Sequence, residues 1–138
     1  NDPWSLEVVM DWAHRLSDLG IKTLALSDTI GSANPENIST LFSGLIPALP
    51  EVEFTAHLHT TPSNWHANVS AAYDAGCRAF DTAIKGFGGC PMAKDELTGN
   101  LATEKLLSFM EERKINHQLN PLQFESAINE AIKTFPMH

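Results

Sequence analysis

Two histidines spaced two residues apart, His57 and His59, and a cysteine in the glycine-rich run Gly86-Phe87-Gly88-Gly89-Cys90-Pro91 are the residues best suited to chemistry. On an extended segment, side chains at i and i+2 project to the same side, so both imidazoles can reach one cation. The competing reading is an ordinary pair of polar residues at a strand end. A hard divalent cation fills its shell with carboxylate, amide oxygen and water. Asp28 and Asn100 are candidates for those places. Asp28 reads equally well as a turn initiator before Gly31, and Asn100, after Gly99, as a turn residue or helix cap. Cys90 near a cation could be deprotonated and act as acid or base. Gly88 and Gly89 would let the loop backbone pack closely against a bound cofactor or substrate. Cys77, just after Gly76 at a helix end, reads as an inert buried thiol.

The rest of the sequence narrows the chemistry further. There is no Ser/His/Asp spacing, no zinc-type Cys-x-x-Cys, and no phosphate-binding Gly-x-Gly-x-x-Gly ahead of a helix. Of the 138 residues 43% are hydrophobic and 19% charged, an ordinary globular balance. The net charge of −8 argues against nucleic acid or an anionic membrane as partner. No apolar run is long enough to span a bilayer. Two cysteines make no disulfide framework, which suits a reducing compartment.

The elements that must position these residues alternate. Asp2-Pro3 is expected to cap and open a helix carrying Leu6, Val9, Met10, Ala13 and Leu16, closed by Gly20. Residues 21–27 form a short strand ending at Asp28. Asn34-Pro35 starts a second helix running to about Pro47. A continuous strand over 51–59 would put Glu51, Glu53, Thr55, His57 and His59 on one face and Val52, Phe54, Ala56 and Leu58 on the other. Ser63-Asn64 caps a third helix ending at Gly76, and residues 79–84 form a third strand before the glycine loop. Helices follow over 101–113 and from Asn120-Pro121 onward. Strands alternating with helices imply a parallel sheet with right-handed crossovers. All of the candidate residues then fall at or beyond the C-terminal ends of strands, where such folds keep their active sites.

The stretch from Phe80 to Pro91 (Phe80-Asp81-Thr82-Ala83-Ile84-Lys85 and then the glycine run) resembles the signature loop of 3-hydroxy-3-methylglutaryl-CoA lyases. Asp28-Thr29-Ile30-Gly31, His57-Leu58-His59 and Gly99-Asn100-Leu101-Ala102-Thr103-Glu104 resemble that family's other blocks, in the same order. The His-x-His and Gly-Asn blocks are similar to those of a wider group of metal-dependent lyases, Claisen-type synthases and carboxyltransferases. The resemblance implies an α/β fold, the C-terminal part of a (β/α)₈ TIM barrel with about three parallel strands and flanking helices, as one partial domain over 1–138. It implies Mg²⁺ or Mn²⁺ held by His57, His59 and Asn100, with Cys90, Asp28 and Glu104 at catalytic positions. The implied reaction cleaves 3-hydroxy-3-methylglutaryl-CoA to acetyl-CoA and acetoacetate, with the cation as Lewis acid and Cys90 as proton donor or relay. An acyl-CoA substrate and a homo-oligomer are also implied, in the cytoplasm of a bacterium or the mitochondrial matrix of a eukaryote.

The chain departs from that pattern in places. Lys85 stands where the signature usually has a small residue, and Pro62 follows His-Thr-Thr where the family often has His-Asp-Thr-Tyr. The segment from Cys90 to Asn100 is about a residue longer than usual. The family's first-strand motif, with its aspartate ligand and arginine, has no match, so the expected partner is the N-terminal half of the barrel. Two alternatives stand beside the lyase: a related acyl-CoA condensing synthase or carboxyltransferase domain, and a non-catalytic, self-associating fragment.

Overall fold

The computed structural model describes residues 4–89 and 98–135, and its chain alternates helix and strand as the sequence implies. Helix α1 (Leu6–Asp18) begins at Ser5, whose hydroxyl accepts the Val8 N–H, so the start lies three residues beyond the expected Pro3. Asp2 and Pro3 lie outside the described residues. At its other end Ile21 N–H reaches back to the Leu16 carbonyl across Gly20, which sits at φ +91°. That closure needs a left-handed residue, and glycine supplies it without steric cost.

Strand β1 (Thr23–Ser27) leads to helix α2 (Pro35–Ala48), capped as expected by Asn34 Oδ1 on the Asn37 N–H. Strand β2 (Glu53–His57) pairs in parallel with β1, Ser27 lying opposite His57. Here the expected continuous strand over 51–59 is corrected. The pairing stops at His57, and His59–Thr60 forms a separate strand, β3. The cause is a change of partner: the Leu58 carbonyl accepts the Leu101 N–H, and β3 pairs antiparallel with a segment far along the chain.

Helix α3 (Trp65–Asp74) follows, then β4 (Ala79–Phe80), parallel to β2. The strand expected over 79–84 is shorter than that. Beyond Phe80 the chain bends into a 3₁₀ turn over Ile84–Gly86, with Ala83 bridging to Ala102. Strand β5 (Gly99–Asn100) is the partner of β3. Helices α4 (Thr103–Glu112) and α5 (Pro121–Thr134) complete the chain, the latter capped by Asn120 on two N–H groups.

The sheet order β1-β2-β4 is a parallel layer with helices packed on one face. Val52, Phe54, Ala56 and Leu58 point into that layer and are buried against Ile38, Phe42 and Leu45 of α2 and Val69 and Ala72 of α3. Burying each of these large side chains contributes on the order of 1.5–3 kcal/mol. The opposite face of β2, with Glu53, Thr55 and His57, is exposed or half-buried. The apolar/polar alternation of β2 therefore orients the strand so that its histidine end opens away from the core. Cys77 lies in the core at 1% exposure, its thiol donating to the Ala79 carbonyl. Burial pushes that thiol upward from its ordinary pKa, which makes it the inert cysteine expected.

Candidate active site

His57 closes β2 and His59 opens β3. Their rings meet edge to face with centroids 5.4 Å apart, despite the break in pairing between them. Each ring is fixed by a hydrogen bond at Nδ1. His59 Nδ1 lies 2.7 Å from the Asp28 carbonyl oxygen. A carbonyl only accepts, so that nitrogen carries the proton and Nε2 is left with its lone pair. His57 Nδ1 lies 3.1 Å from Asp81 Oδ2, and an ionised carboxylate imposes the same tautomer. Two imidazoles with Nδ1 committed to oxygen and Nε2 free are oriented as metal-ligating histidines are.

Asn100 stands directly opposite His59 in the β3–β5 pair. Directly opposed residues in an antiparallel pair share a face, which brings the amide to the histidine corner. Its Nδ2 donates to the Phe87 carbonyl at 2.8 Å, so the amide oxygen remains for another partner. The glycine loop wraps this strand closely. A Cβ on Gly88, whose φ is +80°, would stand 2.9 Å from Asn100 Nδ2, and one on Gly86, at φ +67°, 2.8 Å from the Asn100 carbonyl oxygen. Gly88 and Gly89, the glycines expected to let the loop lie close to a bound cofactor or substrate, pack against β5. Gly88 accepts the Asn100 N–H, and a Cβ on Gly89 would meet the Thr98 carbonyl oxygen at 3.2 Å.

The other candidates are placed as follows. The Asp28 carboxylate accepts the N–H groups of Ser32 and Ala33, which makes it the brace of the loop around Gly31. Asp28 reaches the histidine corner through its backbone, its N–H donating to the His57 carbonyl and its own carbonyl facing His59 Nδ1. The Glu104 carboxylate accepts the Lys85 N–H through both oxygens, at 3.1 and 3.0 Å, and so holds the 3₁₀ turn ahead of the glycine loop. Cys90 lies outside the described residues, as does most of the segment between it and Asn100. Sequence reasoning gave no role to Asp81, although its position just past the end of β4 was the available signal. Asp81 N–H bonds to the Ala56 carbonyl, and that register carries its side chain to His57.

Do these residues fit a divalent cation? Two oriented imidazoles and an amide oxygen are a sound partial set for a hard or borderline ion. Among the described residues no cluster of three or more His, Cys, Asp or Glu side chains is placed to hold a metal. The candidate set among the described residues is therefore two imidazoles and one amide oxygen.

A family model described as HMGL-like matches residues 3–130. The chain is 39% identical over 103 residues to an (R)-citramalyl-CoA lyase of Chloroflexus aurantiacus, covering 75% of this chain and 32% of that protein. It is 41% identical over 101 residues to a hydroxymethylglutaryl-CoA lyase of Pseudomonas mevalonii, covering 73% and 33%. The crystal structure of the HMG-CoA lyase of Bacillus subtilis superposes with a TM-score of 0.86 at 30% identity, over 99% of this chain and 47% of that one. The chain thus spans about a third of the length of the curated relatives it matches. Its three parallel strands and flanking helices correspond to part of a lyase barrel. A match over nearly all of its residues, joined to this fold, shows that the chain belongs to the HMGL-like family.

Proposed function

We propose that the chain forms the metal- and thiol-bearing part of a carbon–carbon lyase that cleaves 3-hydroxy-3-methylglutaryl-CoA to acetyl-CoA and acetoacetate. The observation that carries this reading is the pair of histidines with both Nδ1 atoms tied to oxygen and, among the described residues, no hydrogen-bond partner on either Nε2. His57, His59 and Asn100 would hold Mg²⁺ or Mn²⁺, which supplies Lewis-acid polarisation of substrate oxygens when bound.

The chain's own residues account for orientation and proton movement. Asp81 and the Asp28 carbonyl fix the imidazole rings, and Phe87 fixes the Asn100 amide. In the reaction the C3 hydroxyl loses its proton to a base and the C2–C3 bond breaks. The electron pair stays on C2 as the acetyl-CoA enolate, and protonation of C2 completes the two products. Cys90, which follows Gly89 in the chain, is assigned as the proton donor. Glu104 acts as a positioning residue for the loop through Lys85. Asp28 positions His59 in the same sense. A structure of an Acinetobacter baumannii HMG-CoA lyase with coenzyme A and 3-methylmalate superposes at a TM-score of 0.76 and 32% identity, which supports an acyl-CoA substrate. The remaining carboxylate ligand and an arginine would come from strands that complete the barrel.

The test is acetoacetate release by a polypeptide carrying this segment together with the remaining strands, with (R)-citramalyl-CoA as the comparison substrate. His57→Ala and Cys90→Ser should each lower turnover about 10²-fold or more. Unchanged turnover in Cys90→Ser would remove the thiol from the reaction. Faster cleavage of citramalyl-CoA would reassign the substrate.

A further inference from the structure

Beside the histidine corner lies a cleft of about 220 Å³ whose walls include Thr60, Thr61, Trp65, Lys85, Asn100 and Lys105. Among the described residues no Asp or Glu lines it, in a chain of net charge −8. Among the described residues neither lysine is paired with a carboxylate. The Lys105 ammonium lies 5.2 Å from the centre of the Trp65 ring, which holds it at the cleft wall. Lys85 sits at φ +58°, a left-handed conformation in which any residue with a Cβ is strained and glycine is not. The turn is retained because Glu104 grips the Lys85 N–H. A lysine kept where glycine fits better is a backbone outlier that points to a use for its side chain. Helices α3 and α4 both begin at this cleft, and neither has a side-chain cap on its first turn. The positive dipole end of α3 adds to the field of the two ammonium groups, while that of α4 is offset by the Glu104 carboxylate in its first turn.

We propose that this cleft is an anion-binding subsite that takes a carboxylate or phosphate of a small organic ligand between Lys85 and Lys105, with Trp65 as its apolar wall. Because Asn100 lines it too, the anion belongs to the substrate handled at the histidine corner, and this last clause rests on the lyase reading.

The experiment is calorimetric titration of the chain in EDTA, free of divalent metal, with 3-methylmalate, coenzyme A and inorganic phosphate as separate probes. Saturable binding is expected that weakens as KCl is added, because exposed ammonium groups are screened. Lys85→Gly and Lys105→Met should each weaken it about tenfold, the loss of one charge-assisted contact. Lys85→Gly relieves the strained backbone, so its melting temperature should not fall and misfolding would not explain the loss. Binding of 3-methylmalate without phosphate identifies a carboxylate site, and binding of coenzyme A and phosphate without 3-methylmalate identifies a phosphate site. No binding of any probe, or affinity untouched by both substitutions, overturns the proposal. Mn²⁺ binding to the same chain is read separately: its absence with anion binding intact would sink the lyase reading and leave this subsite standing.

Discussion

Asp28 and Asp81 both act at the histidine corner through hydrogen bonds, the first bracing a loop and the second orienting a ring. From sequence Asp28 read as a cation ligand or as a turn initiator, and its carboxylate does accept the Ser32 and Ala33 N–H groups of the turn. Asp28→Ala is expected to destabilise the chain by about 1–2 kcal/mol through those two orphaned donors, with Asp28→Asn recovering much of the loss. Urea denaturation checks this, and equal stability of Asp28→Ala would show the loop bonds to be idle. Asp81 orients His57 from outside the candidate ligand set. Asp81→Ala should weaken Mn²⁺ binding about ten- to a hundredfold while far-UV circular dichroism stays unchanged. His57 and His59 were legible as a pair because residue type and spacing announce them, and their rings do meet, 5.4 Å apart. Asn100 was singled out as a ligand only through the family resemblance, and it lies opposite His59. Asp81 and the Phe87 carbonyl were not legible, since their roles arise where separate strands end side by side, and local spacing carries no trace of that.

At the scale of elements, caps were the most readable signals. Asn34-Pro35 and Asn120-Pro121 begin helices where expected, because an Asx side chain followed by proline satisfies the first turn locally. The end of the strand at His57 was unreadable, because what ends it is pairing with β5, many residues later. Helix α4 ends on Lys114 at φ +56°, with Ile115 N–H reaching back to the Met110 carbonyl. That closure has the geometry glycine provides after α1 and α3. Lys114→Gly should therefore stabilise the chain by about 1 kcal/mol, seen as a higher melting temperature. A lower one would mean that the lysine side chain contributes more than its backbone strain costs.

For the molecule as a whole, the sequence conveyed the fold class but not how open the sheet would stand. One face of the sheet is buried under helices, while β1 and β4 are edge strands among the described residues. Trp4, Val8 and Trp12 lie exposed on the first helix and the residues just before it. Three strands cannot close a barrel, which takes eight. The chain by itself is expected to show no acetoacetate release with Mg²⁺ or Mn²⁺, and measurable turnover would refute the need for further strands. Open edges and an apolar helix face also favour association, so sedimentation should show mass rising with concentration.

The break at Leu58 has a mechanical consequence. His57 and Asp81 belong to the rigid parallel frame, whereas His59 and Asn100 ride on a two-residue ribbon gripped by the glycine turn. The turn bonds directly to Asn100, through the Gly88 and Phe87 carbonyls, whereas His59 is also tied to the frame through the Asp28 carbonyl. The distance from Asn100 to the two imidazoles is therefore what a shift of the turn would change, and an ion held by all three would act as a latch. Amide exchange in the ribbon, and not in the parallel frame, is where opening of that latch would be read.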